Sequence, residues 1–152
     1  MISSLAAAIH LPLMSAYSAS KAAVEALGNT LRVELAPSGA KVGVAYFSEI
    51  DTDMTKRGFA TQAAKVLTGG GSLTKPAPVK VAIDALEEGI NKRKRRIVAP
   101  FWVEYLLHIR GIAQHLVELG SRARIEKALE IAVKEKVEFT TPQKDLKNHS
   151  RS

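Results

Sequence analysis

The spacing of apolar residues divides the chain into short apolar runs and longer amphipathic stretches. The short runs predict strands at Ile2–Leu5, Lys41–Phe47 and Arg96–Ala99. Apolar residues recur at intervals of three and four elsewhere, and they predict helices over Ser15–Leu35, Pro78–Asn91, Phe101–Leu119 and Arg122–Val137. Strands that alternate with helices are typical of an α/β fold with a parallel sheet, here of about three strands plus helices.

The ends of these elements follow from local chemistry. Ser15 is the expected N-cap of the first helix, Pro37-Ser-Gly39 ends it, and Gly120 is expected to separate the last two helices. Ser48–Lys75 has no clean period and contains three consecutive glycines, so it predicts a long irregular segment with a short helical piece near Thr61–Leu67. Loops of this length are usually functional or mobile.

Composition excludes several classes of protein. The 152 residues are 46% hydrophobic and 24% charged, which is ordinary for a globular domain. There is no cysteine, so a disulfide framework, a thiolate zinc site and a cysteine nucleophile are excluded. The four histidines are scattered, and we expect no metal site.

The net charge of +7 comes entirely from the C-terminal part of the chain, because residues 1–91 contain eight basic and eight acidic residues. The basic run Lys92–Arg96 permits contact with nucleic acid or an anionic membrane, but no aromatic residues or recognition motif accompany it. We expect it to be a solvated turn and expect no nucleic-acid partner. The longest nearly apolar stretch, Leu5–Met14, is too short to span a bilayer and lacks a basic leader, so a soluble, cytoplasmic protein is expected.

Tyr17 and Lys21 are the strongest candidates for chemistry. A separation of four residues puts both side chains on one face of the first helix. A free tyrosine has a pKa of about 10, and a neighbouring cation stabilises its phenolate, which suits the pair to proton transfer at a carbonyl or alcohol oxygen. Ser4 could supply a hydroxyl to the same oxygen. On its own, a Tyr-x-x-x-Lys pair is a weak signal.

The surrounding residues make the signal specific. Ile2-Ser-Ser4, Tyr17-Ser-Ala-Ser-Lys21 and Phe47-Ser-Glu-Ile50-Asp-Thr52 resemble the short-chain dehydrogenase/reductase family at the expected separations. The resemblance is specific over about Ile2 to Met54 and extends in the order of elements to about Pro100.

The resemblance implies an oxidoreductase with a Rossmann-like fold. Tyr17 would be the acid or base, Lys21 would assist it and bind the nicotinamide ribose, and Ser4 would hold the substrate oxygen. Ile50 and Thr52 would line the nicotinamide carboxamide. The cofactor would be NAD or NADP, and the substrate a moderately apolar alcohol or ketone, with Ser48–Lys75 as the substrate loop.

The chain departs from the family pattern in two respects. Phe47-Ser48 stands where the family usually has Pro-Gly, and the family's Gly-rich phosphate loop has no counterpart before Ser4; Gly69–Gly71 follows no strand. The sequence therefore predicts the C-terminal half of a doubly wound parallel-sheet fold, and whether Met1 is the start of the complete protein stays open. Residues 1–100 would form the catalytic half, 101–139 a C-terminal helical extension and 140–152 a polar tail.

A half-fold of this kind exposes an unpaired strand edge. We expect the isolated chain to be marginally stable, to bind NAD(P)H weakly or not at all, and to associate with itself or with a missing N-terminal half. Two alternatives to an active dehydrogenase stay open. One is a non-catalytic remnant that acts as an interaction module through its strand edge and C-terminal helices, and the other is a basic protein that binds surfaces through Lys92–Arg96.

Overall fold

A small parallel sheet flanked by helices forms the centre of the computed structural model, which describes residues 1–135. The two strands are β1 (Val44–Phe47) and β2 (Arg96–Ala99). The helices are α1 (Ser15–Glu34), α2 (Asp53–Ala60), α3 (Gln62–Thr68), α4 (Val79–Asn91), α5 (Val103–His108) and α6 (Arg110–Lys134). The predicted α/β class and parallel pairing are confirmed. The predicted polar tail and the end of the last predicted helix lie outside the described residues.

The opening segment joins the sheet at a single point, so the predicted strand Ile2–Leu5 is wrong in extent. Ile2 bridges Ala45 in the parallel sense, and the backbone N–H of Ser3 donates to the Ala45 carbonyl at 2.8 Å. The chain then turns into a 3₁₀-helix at Leu5–Ala7, because the Ser4 hydroxyl accepts a hydrogen bond from the Ala6 N–H. The strands β1 and β2 pair in the register Val44 to Arg96 through Phe47 to Ala99.

The predicted helices α1 and α4 are confirmed to within one residue at each end, although Met14 rather than Ser15 occupies the N-cap of α1. The short helical piece predicted near Thr61–Leu67 is confirmed as α3, whereas α2 in the same Ser48–Lys75 segment was not predicted. Thr52 and Thr61 cap these helices with their side-chain oxygens, which accept from the Thr55 and Ala64 N–H groups.

The predicted break at Gly120 is wrong. Helix α6 continues through Gly120 for 25 residues, and the interruption falls at Ile109, between α5 and α6. A lone glycine weakens a helix by only about 1 kcal/mol, which the packing of α6 against α3 offsets.

The core lies between β1 and the helices that cover it. Its buried members are Ala8, Val44, Tyr46, Val103 and Leu107. Gly28 lets α1 approach this core closely, since a β-carbon at that position would collide with the Val44 side chain. The β1 strand therefore contacts the opening segment, β2 and α1.

An apolar stripe on the C-terminal helices remains exposed. Val103, Leu107 and Ala113 face inward, whereas the stripe is exposed and consists of Phe101, Tyr105, Ile109, Ile112, Leu116 and Leu119. From Ile109 onward the spacings of three, four and three residues keep these side chains on one face of α6. None of the helices within residues 1–135 combines the length and apolar character needed to cross a membrane.

Candidate active site

Tyr17 and Lys21 lie on one face of the first turns of α1, as their spacing predicts. The Lys21 ammonium nitrogen is 5.7 Å from the centre of the Tyr17 ring. Both side chains are half-buried, so a ligand can still reach them. The phenol and the ammonium are therefore available as a unit at the start of the helix.

The opening segment holds this turn of α1 by two hydrogen bonds. Lys21 Nζ donates to the carbonyl of Ile2 at 3.3 Å, and the hydroxyl of Ser3, which is buried, donates to the carbonyl of Lys21 at 2.8 Å. Sequence reasoning passed over Ser3 because a serine beside a candidate catalytic serine has no distinguishing pattern. Its contact fixes the position of the Tyr17–Lys21 face relative to the sheet.

Ser4 follows directly, where the opening segment leaves the sheet. Its hydroxyl donates to the carbonyl of Phe47 at 3.3 Å and accepts from the N–H of Ala6 at 3.2 Å. Phe47 is the last residue of β1, so Ser4 lies at the carboxyl end of that strand. Ligands of open parallel sheets bind beyond this end of the strands.

Ile50 and Thr52 occupy the chain that leaves the same end of β1. Ile50 forms a parallel bridge with Ala77, and the Thr52 hydroxyl is 3.0 Å from the hydroxyl of Thr55 while it caps α2. Both residues thus have structural contacts at the carboxyl edge of the sheet. The bulkier Phe47-Ser48 is accommodated there, with the Ser48 N–H donating to the Ala99 carbonyl at 3.0 Å.

Glu49 anchors the far part of the segment between β1 and α4. Its carboxylate accepts hydrogen bonds from the N–H groups of Leu73 and Thr74, at 3.0 and 3.3 Å. Burial nevertheless raises the pKa of Glu49 above its ordinary value. The contacts of Glu49 with Leu73 and Thr74 span 24 and 25 residues, and no sequence pattern predicted them.

Helix α6 reaches the loop that follows Ser4. The Gln114 side-chain oxygen accepts from the N–H of His10 at 2.7 Å. At the other end of α6, the Glu135 carboxylate accepts from the N–H groups of Gln62 and Ala63, at 2.8 and 3.0 Å, and so caps α3. No grouping of three or more histidine and carboxylate side chains within residues 1–135 is arranged to hold a metal ion.

Comparison with known proteins shows which family this chain is similar to. Residues 1–63 match the family model described as short chain dehydrogenase. Two curated Arabidopsis thaliana proteins, 11-beta-hydroxysteroid dehydrogenase-like 2 and 11-beta-hydroxysteroid dehydrogenase-like 3, are 32% and 31% identical over 118 and 119 residues. Each of these matches covers 78% of this chain and 36% of the relative, so the chain spans about a third of the length of the curated proteins it matches.

A solved structure gives the same result. A short-chain dehydrogenase from Sphingobium yanoikuyae, determined in complex with NADPH, superposes with a TM-score of 0.55 at 26% identity. The match covers 77% of this chain and 43% of that one. The family model over residues 1–63, the sequence relatives and the fold agree in their support for a member of the short-chain dehydrogenase/reductase family.

Proposed function

We propose that this chain carries the proton-transfer machinery of an oxidoreductase that interconverts an alcohol and a ketone. The observation that supports this most directly is the Tyr17–Lys21 face of α1, held by Ile2 and Ser3, with Ser4 at the adjoining end of β1. A phenol, an ammonium and a hydroxyl are the groups that proton transfer at the oxygen of an alcohol or ketone can use.

Each of the three side chains has a distinct role in the proposal. The Tyr17 hydroxyl gives a proton to the substrate oxygen in reduction and takes it back in oxidation. The Lys21 ammonium stabilises the phenolate that forms on Tyr17. The Ser4 hydroxyl donates to the substrate oxygen, for which it must leave its 3.3 Å contact with the Phe47 carbonyl.

The cofactor assigned by the proposal is NAD or NADP. The residues that would hold it are Tyr17, Lys21, Ile50 and Thr52, and when bound it supplies or accepts a hydride at the substrate carbon. Lys21 fits a ribose hydroxyl, because its ammonium has three donors and, among residues 1–135, contacts one protein acceptor, the Ile2 carbonyl, at 3.3 Å. Within the described residues the glycine run Gly69–Gly71 follows helix α3 rather than a strand, so the fit concerns the nicotinamide end alone.

An apolar alcohol or ketone is the proposed substrate. The names of the Arabidopsis thaliana relatives support a hydroxysteroid-like compound of this class. The segment from Ser48 to Lys75, with α2 and α3, would form one wall of the substrate site, because Ile50 and Thr52 lead directly into it.

The experiment compares two tyrosine variants of the 152-residue chain. Oxidation of NADH and of NADPH is followed at millimolar cofactor, since weak binding is expected, with a panel of apolar ketones. Tyr17→Phe should reduce kcat/KM by at least about 100-fold, the size of a lost acid–base group. Tyr105→Phe removes the hydroxyl of an exposed tyrosine on α5 and should leave kcat/KM unchanged.

Turnover that survives in Tyr17→Phe would remove the proposed role of Tyr17. Absence of turnover in the unmodified chain would remove the catalytic proposal for this chain. It would favour a second candidate function, an interaction module that associates through its C-terminal helices. The exposed stripe is the observation behind that candidate, since Tyr105, Ile112 and Leu116 are 68%, 65% and 62% exposed.

A further inference from the structure

A second candidate site lies beside the sheet and is lined by residues other than Ser4, Tyr17 and Lys21. It is a cleft of about 320 Å³ between α1, the strands and the start of α6. Arg95 and Arg96 stand at the beginning of β2, whereas Ser4 contacts the end of β1. Tyr46 on the cleft wall directly precedes Phe47, but Ser4, Tyr17 and Lys21 do not line the cleft, so the cleft and the proposed active site are distinct.

Arginine dominates the lining of this cleft. Four arginines from three separate parts of the chain converge on it: Arg32, Arg95, Arg96 and Arg110. A guanidinium presents its donors in a planar fork, which matches the oxygens of phosphate and carboxylate groups. The sequence predicted that the run Lys92–Arg96 is a solvated turn. It did not predict that four guanidinium groups converge on one cavity.

Two of these arginines are already neutralised. Arg110 pairs with Glu25 at 3.0 Å, which ties α6 to α1, and Arg96 pairs with Glu104 at 2.9 Å. The Glu25 side chain is only 16% exposed, so this pair is a fixed part of the cleft wall.

The other two arginines keep their charge. Arg32 donates only to neutral oxygens, namely the Val42 carbonyl at 3.0 Å, the Arg95 carbonyl at 3.3 Å and the Asn29 side chain at 2.8 Å. Among the residues that the structure describes, no carboxylate pairs with Arg32 or Arg95. The cleft therefore holds a surplus of two positive charges, with Arg32 already oriented by its neighbours.

Tyr46 forms part of the same wall and adds no negative charge. Burial and the adjacent Glu25 carboxylate raise the pKa of Tyr46 to about 12. Tyr46 is 5% exposed and its phenol stays protonated at neutral pH, so it does not repel an anion.

We propose that this cleft binds a small oxyanion with two or more negative charges, the class to which phosphate esters and diphosphates belong. Arg32 and Arg95 supply the charge that the ligand neutralises, and the two ion pairs hold the walls around it. The site is independent of the oxidoreductase chemistry, because it shares no residue with Ser4, Tyr17 or Lys21.

The test is calorimetric titration of the 152-residue chain with sodium pyrophosphate at neutral pH and fixed ionic strength, with sodium chloride as the blank. We expect saturable binding of one pyrophosphate per chain. Arg95→Gln should weaken the affinity at least about tenfold, since a charge-assisted contact is lost. The Arg95 side chain is exposed, and only its backbone carbonyl holds Arg32, so the variant should fold normally, as circular dichroism will verify.

Arg93→Gln is the matched control. It removes one positive charge from the same basic run, at a residue that does not line the cleft, and should change the affinity by less than about twofold. Equal losses in the two variants would show diffuse attraction to the basic run and would overturn the proposal. Heats no larger than those of the sodium chloride blank would overturn it as well.

Discussion

Lys21 places its ammonium 5.7 Å from the centre of the Tyr17 ring while it donates to the Ile2 carbonyl at 3.3 Å. The same side chain thus serves the proposed chemistry and closes the contact between α1 and the opening segment. Replacement by methionine should remove both, and the free energy of unfolding should fall by about 1 kcal/mol. Chemical denaturation measures this change, and the ketone assay measures the loss of activity.

Lys21→Arg separates the two roles. The guanidinium keeps the charge and can still reach a carbonyl, so stability should be retained, but its planar fork cannot replace a compact ammonium beside the phenol, and activity should fall. Lys41→Met, at an exposed lysine away from the site, is the control. A Lys21→Met chain as stable as the control would refute the structural part of this prediction.

The close approach of α1 to β1 gives a prediction about packing. Gly28→Ala would drive a β-carbon into Val44, which is fully buried, and should destabilise the chain by about 1–3 kcal/mol. Gly120→Ala is the matched change in α6, where no atom lies near the added methyl group. There the better helix propensity of alanine should stabilise by about 0.5–1 kcal/mol. Thermal or urea unfolding distinguishes the two signs, and a loss at both positions would contradict the account of α6.

Glu49 gives a prediction about pH. Its pKa is raised by burial, so the folded chain holds this proton more tightly than the unfolded chain does. The associated stability is complete below the ordinary pKa of a glutamate and is lost as the pH rises through the raised value. Glu49→Gln does not ionise, so its free energy of unfolding relative to the unmodified chain should increase as the pH rises from the ordinary pKa of a glutamate through the raised pKa of Glu49.

Urea unfolding at several pH values tests this expectation. Glu126→Gln, at an exposed position on α6, is the control. A gain of the same size in the control, or a constant difference for Glu49→Gln, would show that burial of Glu49 is not the cause.

The exposed stripe of α6 predicts self-association. A second copy of the chain is the partner we expect. The double variant Ile112→Lys with Leu116→Lys should raise the dissociation constant of this self-association at least about tenfold. Leu129→Lys with Val133→Lys changes two exposed apolar residues at the other end of the same helix and should have little effect. Analytical ultracentrifugation measures both, and a chain that is monomeric at high concentration would refute the prediction.

Sequence patterns predicted the parts of the fold that depend on local periodicity. The bounds of β2 and nearly those of α1 and α4 followed from apolar spacing, and the Tyr17–Lys21 pair followed from helical geometry. The errors arose where a tertiary contact decided the outcome. The Ser4 hydroxyl turned a predicted strand into a 3₁₀-helix, and packing against α3 carried α6 through Gly120.

Other features could not be seen before the chain was folded. The arginine cleft draws on residues 32, 95, 96 and 110, and the ion pair of Glu25 with Arg110 spans 85 residues. Contacts between residues so far apart in the sequence produce no periodic pattern that could predict them. The start of α2 is different, because Thr52 before this helix was a local capping signal that sequence analysis of the irregular segment missed.

The uninterrupted course of α6 makes it a rod roughly 30 Å long between its two polar attachments, Gln114 and Glu135. One attachment holds the loop after Ser4, and the other holds the start of α3. The length of α6 therefore sets the distance between the loop after Ser4 and the start of α3. This distance can increase only if one of the two end contacts breaks. In the proposed enzyme, the fixed distance between these two segments would limit the size of the substrate. Substitutions at Gln114 or Glu135 would then change specificity as readily as substitutions beside Tyr17.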